Sequence, residues 1–236
     1  PVPAALAVCE ELLASPTVDR RGAALVGLYS GHLLALDGQF ERARDRCART
    51  RSDLRELGWH FDAALVSIHL GPIELLAGRP EIAEAELRAD YEALGEMGEQ
   101  NYVATTACLL AEAVRRQGRS DEAASLARSA VELADPDDLT TQAGWRAVLA
   151  RVATDAGDLD GALDLAEAAL ALLAPTDDLV ARAEAHLDLA DVLRRRGATE
   201  PARNEALAAH GLFVVKGCGP GVAAADRVLA EVDAGA

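Results

Sequence analysis

The sequence predicts an all-α solenoid: about five stacked helix hairpins, an opening helix before them and a capping helix after. Three observations predict it. Five segments align on a glycine: LALDGQFERA, LLAGRPEIAEA, RRQGRSDEAAS, TDAGDLDGALD and RRRGATEPARN. Their glycines, Gly38, Gly78, Gly118, Gly157 and Gly197, are spaced 40, 40, 39 and 40 residues apart. The 236 residues include 51 alanines but only 3 Phe, 2 Trp and 3 Tyr. Alanine is the best helix former and lets helix axes approach closely, so such a chain packs helix on helix. Apolar residues recur at helical spacing, as at Leu65, Ile68, Ile73 and Leu76 or at Leu187, Leu189, Ala190 and Leu193. No run alternates as a strand would.

Three further columns repeat with the glycine. An acid lies three residues after it: Glu41, Glu81, Asp121, Asp160 and Glu200. An alanine lies five after: Ala43, Ala83, Ala123, Ala162 and Ala202. A small residue lies seven before: Gly31, Gly71, Ala111, Ala150 and Ala190. The glycine ends one helix, where a left-handed residue is cheapest. The acid falls in the first turn of the next helix and meets the positive end of its dipole. The small residue and the alanine fall where paired helices cross.

The elements follow in order. The opening helix covers 3–14. The hairpins cover 18–36/39–57, 60–77/80–97, 100–117/120–134, 139–156/159–173 and 177–196/199–215. Gly71-Pro72 interrupts the helix at 60–77; a mid-helix proline costs about 3 kcal/mol and usually makes a kink, and here it reads as a tolerated irregularity, or alternatively as a local widening of the groove. DPDD (135–138) and APTDD (174–178) are turns, with proline stopping one helix and aspartate capping the next. KGCGPG (216–221) lacks the GK[ST] ending of a phosphate loop and reads as the link to a capping helix at 220–233. One hairpin cannot bury its apolar face alone. Stacking supplies one repeat domain over 1–236, with contacts local along the chain.

Charge narrows the partners. The net charge is −16; residues 1–118 carry 18 acids and 12 bases, and residues 119–236 carry 21 and 11. Both halves repel polyanions, which argues against nucleic acid and anionic membrane as partners. No apolar stretch approaches the roughly 18 residues of a membrane span. The first segment, PVPAALAVCEELLAS, has no basic region and places Glu10 and Glu11 in its midst, unlike a signal peptide. The first residue is not Met, which points to a processed chain or a piece of a longer protein. Cys9, Cys47, Cys108 and Cys218 lie far apart, so reduced, mostly buried thiols in a cytoplasmic protein are expected.

Chemistry-bearing motifs are scarce. His32, His60, His69, His186 and His210 form no HxxxH or HExxH pair, and no Gly-x-Ser-x-Gly elbow occurs. No catalytic residue, metal or cofactor is therefore expected. Glu84/Glu86 and the run Arg42, Arg44, Arg46, Arg49, Arg51 and Arg55 read as solvated outer helices, or at best a docking surface.

The columns resemble the tetratricopeptide repeat: small residue, Gly, Ala, then in later repeats a second Ala (Ala130, Ala169, Ala209) and Pro (Pro136, Pro175). The resemblance covers roughly residues 18–215. The period exceeds that family's usual length of about 34 residues. The longer form is similar to the superhelical region of large bacterial signal-transduction ATPases. These include relatives of the maltose-regulon activator and proteins with an upstream adenylate/guanylate cyclase domain. The resemblance implies a right-handed superhelix and a regulatory or protein-interaction role, with catalytic or DNA-binding modules lying elsewhere. The ending LAEVDAGA fits either a trimmed activator or a cyclase-type protein that ends with its repeats.

In such a superhelix the first helix of each pair lines the concave groove. Inward positions fall about ten and six residues before the glycine. These are Leu28, His32, Ile68 and Pro72, then Cys108, Glu112, Ala147, Arg151, Leu187 and Asp191, with Arg115, Arg116, Arg194 and Arg195 close by. The groove should be apolar at its N-terminal end and arginine-rich at its C-terminal end. That suits an amphipathic peptide, helix or neighbouring domain with an acidic patch. Arginine at a helix C-terminus also simply complements the dipole. The carboxylate clamp of chaperone-binding members needs inward Lys and Asn, which are absent. The leading expectation is a non-enzymatic interaction or regulatory module of a larger bacterial signalling or transcriptional regulator. One alternative is an effector sensor, with His32, Glu112, Arg151 and Asp191 holding a small molecule. Another is self-association as a homo-oligomer through Leu6, Leu12 and Leu13 at an open end.

Overall fold

The computed structural model describes residues 1–235. Among them are thirteen helices and no strand. A first helix, α1 (Val2–Ala14), opens the chain. The hairpins are α2 (Arg20–Leu36) with α3 (Phe40–Glu56), then α4 (His60–Ala64) and α5 (Ser67–Leu76) with α6 (Pro80–Glu96). They continue with α7 (Asn101–Arg115) and α8 (Ser120–Leu133), α9 (Leu139–Ala156) and α10 (Leu159–Leu173), and α11 (Leu179–Arg195) and α12 (Thr199–Lys216). Helix α13 (Gly219–Ala234) follows. The fold is an all-α superhelix of antiparallel helix pairs.

The aligned glycines close the first helix of each pair. Gly38 takes φ +83°, and its turn is tied by Gly38 N–H to Ala35 O (2.9 Å) and Gln39 N–H to Leu34 O (2.8 Å). Gly58, Gly98 and Gly217 share this left-handed conformation and close α3, α6 and α12. They stand half a period from the aligned set. The second helices α8 and α10 lack such a glycine and end in the two proline turns at 135–138 and 174–178. Asp138 then caps α9 by accepting from Thr141 N–H, and Asp178 caps α11 by accepting from Val180 and Ala181 N–H.

The alanine column is the crossing point of each pair. Ala43, Ala83, Ala123, Ala162 and Ala202 are all 0 % exposed. The small column meets a residue nine after the glycine. A Cβ on Gly31 would stand 2.5 Å from Cys47 Sγ, and one on Gly71 would stand 2.7 Å from Leu87 Cδ1. In later repeats Ala111 clusters with Ala127, and Ala150 with Ala166. Glycine faces a larger side chain, or alanine faces alanine, so the volume at the crossing stays filled.

Three expectations are corrected. The helix at 60–77 is two helices, broken at Leu65-Val66, and Pro72 lies inside the second of them. The freed Ser67 N–H donates to Asp90 Oδ2 of α6 (3.2 Å), and Arg51 Nη2 holds the same oxygen (2.9 Å). The arginine run on α3 is not solvated throughout. Arg44 reaches Glu74 (2.6 Å), Arg46 reaches Glu10 (2.9 Å), and Arg51 reaches Glu86 as well as Asp90. Glu84 is also turned inward and binds Arg88 (2.7 Å), Gln117 (2.8 Å) and Arg119.

The third correction concerns shape. Helix packing is mostly between chain neighbours, but α13 also packs on α2. Val2, 1 % exposed, shares a cluster with Leu36, Phe213, Cys218 and Ala225. Gly217 has space for a Cβ only 3.3 Å from Pro3 Cδ. The two ends of the solenoid therefore meet and close a ring. Leu6 packs at this seam, while Leu12 stays exposed on the outer surface. No helix among the described residues is long and apolar enough to cross a membrane.

Candidate binding cavity

The ring surrounds a cavity of about 1080 Å³. Its walls come from the first helices of the pairs and from α12 and α13 at the seam. Of the inward residues expected from spacing, His32, Pro72, Cys108, Glu112, Arg115, Arg116, Ala147, Arg151, Leu187, Asp191 and Arg195 lie on these walls. Leu28 is instead buried in the core of the first repeats. Ile68 is half-buried away from the cavity. Arg194 turns to Asp191 (2.5 Å) and Glu231 (3.5 Å).

One wall is apolar. Leu36 of α2, Pro72 and Leu76 of α5 and Leu109 of α7 form it, and Phe213 and Pro220 continue it across the seam. His32 stands in it, with its ring 6.1 Å from that of His69, which lies 6.0 Å from Tyr29. Burial, then the His32 neighbour, pushes His69 down to about 4. Burial also lowers His32. Both rings are neutral at pH 7. Cys108 is pushed up to about 12 by burial, so it stays a thiol rather than a nucleophile.

The other wall is charged, and most of its charges are already paired. Glu112, 5 % exposed, is the hub. It accepts from Arg115 Nε (2.9 Å), Arg116 Nε (2.6 Å) and Arg151 Nη1 (3.2 Å). Burial opposes its charge, but Arg151, then Arg115 and Arg116, prevail, and the carboxyl titrates well below the usual range. Arg115 also donates to Asp155 (2.7 Å), and Arg116 to the Leu75 carbonyl (2.8 Å) at the end of α5. Arg195 holds Asp191 (3.0 Å). The arginines face the protein's own carboxylates. Arg115, Arg116, Arg151 and Arg195 are therefore engaged within the wall rather than free for the acidic partner that spacing alone suggested.

Two carboxylates on α11 are less well served. Asp188 Oδ1 accepts from Arg151 Nε (2.7 Å), while its Oδ2 is buried without a partner. Burial works against its charge, the Arg151 pair favours it, and the like charge of nearby Glu112 opposes it again. Its pKa therefore lies above the ordinary value. Glu184, one turn earlier, has neither an ion pair nor a hydrogen bond among the described residues. Glu184 is exposed, and its side chain lines the cavity. Burial raises its pKa, Arg151 offsets this in part, and Asp188 raises it further. On the seam side, Lys216 and Arg227 line the cavity without ion pairs among the described residues.

Spacing missed Glu184, Asp188, Phe213 and Lys216. Glu184 is one heptad before Asp191 and Asp188 directly follows Leu187, so helical geometry puts both near one face. That face is broader than the two positions per helix counted from the glycine. Phe213 and Lys216 line the cavity because the ring closes. Among the described residues no cluster of His, Cys, Asp or Glu could hold a metal ion.

No family model matches the chain, and no curated protein matches its sequence. Solved structures do match its fold. The Rap conjugation gene regulator of plasmid pLS20, in complex with the Phr* peptide, aligns with a TM-score of 0.68 at 15 % identity, over 99 % of this chain and 67 % of that one. BtubC (BKLC) from P. vanneervenii aligns with a TM-score of 0.59 at 16 % identity, over 92 % and 89 %. A variant of the TPR-like repeats of a kinesin light chain from Podosopora anserina aligns with a TM-score of 0.51 at 18 % identity, over 80 % and 95 %. The fold is a tetratricopeptide-like superhelix. At these identities the likeness is one of fold alone.

Proposed function

We propose that this chain is a non-enzymatic interaction module that takes a peptide, or a short segment of a partner or neighbouring domain, into its inner cavity. One observation carries the reading: ring closure builds a cavity of about 1080 Å³ with an apolar wall facing a charged one. That combination of apolar area and a few polar groups is what binding pockets use, and the volume lies just above their range of about 300–1,000 Å³. The superhelical Rap regulator solved with a peptide lends support, because its fold spans 99 % of this chain. Repeat arrays bury little chemistry of their own and present inner surfaces to partners. The natural setting for this module is a larger bacterial signalling or transcriptional regulator.

The test is calorimetry and thermal unfolding with pools of apolar pentapeptides, together with Leu187→Trp, which fills the cavity from α11. At least one pool should bind and raise the melting temperature, and the Trp variant should lose that binding with its helical circular dichroism intact. No binding by any pool, or binding unaffected by the Trp variant, would overturn the reading. A second reading, a small-molecule effector in the same cavity, is favoured by the same volume. Sugars and nucleotides in the same screen separate the two.

A further inference from the structure

The cations that line the cavity fall into two groups. Arg115, Arg116, Arg151 and Arg195 each hold a carboxylate of the wall. Lys216, at the end of α12, and Arg227 of α13 have neither an ion pair nor a hydrogen bond among the described residues. Acids outnumber bases 39 to 23 in this chain, so partners are plentiful and the seam cations lack them by placement. Lys216 is the chain's only lysine, and it is half-buried. Phe213, one turn before it, shares a buried cluster with Leu36, and Pro220 adds to the same wall. On α13, Pro220, Ala224 and Arg227 recur at helical spacing along the face that lines the cavity, so Arg227 adds positive charge on the seam side. Asp178 also lines the cavity, but its carboxylate is committed to the N–H groups of Val180 and Ala181. Asp177 and Glu184 are exposed and pair with neither cation. A cation held against apolar surface without a counter-charge is costly, and an anion brought to it there gains more than in bulk water. Lys216 complements the dipole of α12, a role that leaves its three N–H donors open to a ligand.

We propose that Lys216, with Arg227 adding positive charge on the same side of the cavity, receives a carboxylate of the ligand, either the C-terminus of a peptide or an acidic side chain within it. The inference rests on the peptide-binding function above. It names the charge the ligand carries and the side of the cavity where that charge lies. The ammonium is a compact point charge on a flexible stem, so it can follow a carboxylate presented from either source. Charge-assisted bonds of this kind are the strong ones. The apolar residues of the peptide then lie on Leu36, Phe213 and Pro220. An acidic partner is thus kept, but its anchor moves from the engaged arginines to the seam.

The test uses the full 236-residue chain and four pools of N-acetylated apolar pentapeptides. One ends in an amide and is neutral, and one ends in a free carboxylate. The other two end in an amide and carry glutamate or arginine at the centre. The free-acid pool or the glutamate pool should bind about tenfold tighter or more than the neutral pool, the size of a charge-assisted hydrogen bond. Which of the two gains tells the chain end from the side chain. Lys216→Met should bring that pool down to the level of the neutral one, and Lys216→Arg should keep the preference. Arg227 is exposed, so Arg227→Met tests the same charge without disturbing the core, and it should lessen the preference. Helical circular dichroism checks the fold of each variant. No gain by either acidic pool, a preference for the arginine pool, or a preference untouched in Lys216→Met (in Arg227→Met, should the first variant not fold) would overturn this inference and leave the peptide-binding function standing. Binding by none of the pools would overturn both.

Discussion

A Cβ on Gly71 would stand 2.7–2.8 Å from three atoms of Leu87, which is 0 % exposed. A Cβ on Gly211, in the middle of α12, would meet nothing within 4 Å. Both are helical glycines, so Gly→Ala gains about 1 kcal/mol of helix propensity at each. At Gly211 that gain is all there is, and Gly211→Ala should stabilise. At Gly71 overpacking costs about 1–3 kcal/mol and wins, so Gly71→Ala should destabilise. Leu87→Ala should rescue it, because the pair then matches the alanine–alanine crossings of later repeats. Urea unfolding of both single variants and the double variant measures the coupling. Simple additivity would show that the two sites do not share one packed volume.

At the scale of elements, Glu84 ties α6 to the turn between α7 and α8. Burial raises its pKa, but hydrogen bonds from Arg88, Gln117 and Arg119 pull it down from 4.5 to about 2. The folded value is therefore below the unfolded one. Its stabilisation is present above about pH 4.5 and is lost as pH falls toward 2. Glu84→Gln should be less stable than the parent at pH 7, and the two should converge by about pH 2. Thermal unfolding across that range checks it, and a constant gap would exclude the ionised carboxylate as the cause. Charge pattern alone marks Glu84 as a solvated residue. Its partner Arg119 lies 35 positions on, in the next repeat. The glycine, alanine and acid columns were legible because each recurs with the period. The break at Leu65-Val66 was not, because Asp90, which stabilises it, lies on another helix. Glu184 was hidden for a simpler reason. Counting inward positions from the glycine samples only part of a broader helix face.

For the whole molecule, closure of the ring decides what the cavity is. Along the repeats each hairpin contacts its neighbours, and stability is a sum of local interfaces. The seam is different: Val2 meets Phe213 and Cys218 across more than two hundred positions. No sequence periodicity encodes such a contact. The apolar wall continues onto Phe213 and Pro220 only because α12 and α13 come back to α1 and α2. An opened ring would keep its helices and lose that wall. Val2→Asp places a charge at a site 1 % exposed, with an expected cost of about 2–4 kcal/mol confined to the seam. Helical circular dichroism should hardly change. The radius of gyration from small-angle scattering should rise, and hydrogen exchange should quicken in α1 and α13 while α7 to α10 stay protected. Peptide binding should fall with the variant even though residue 2 lies outside the charged wall. An unchanged radius with intact binding would show that the cavity does not depend on the seam.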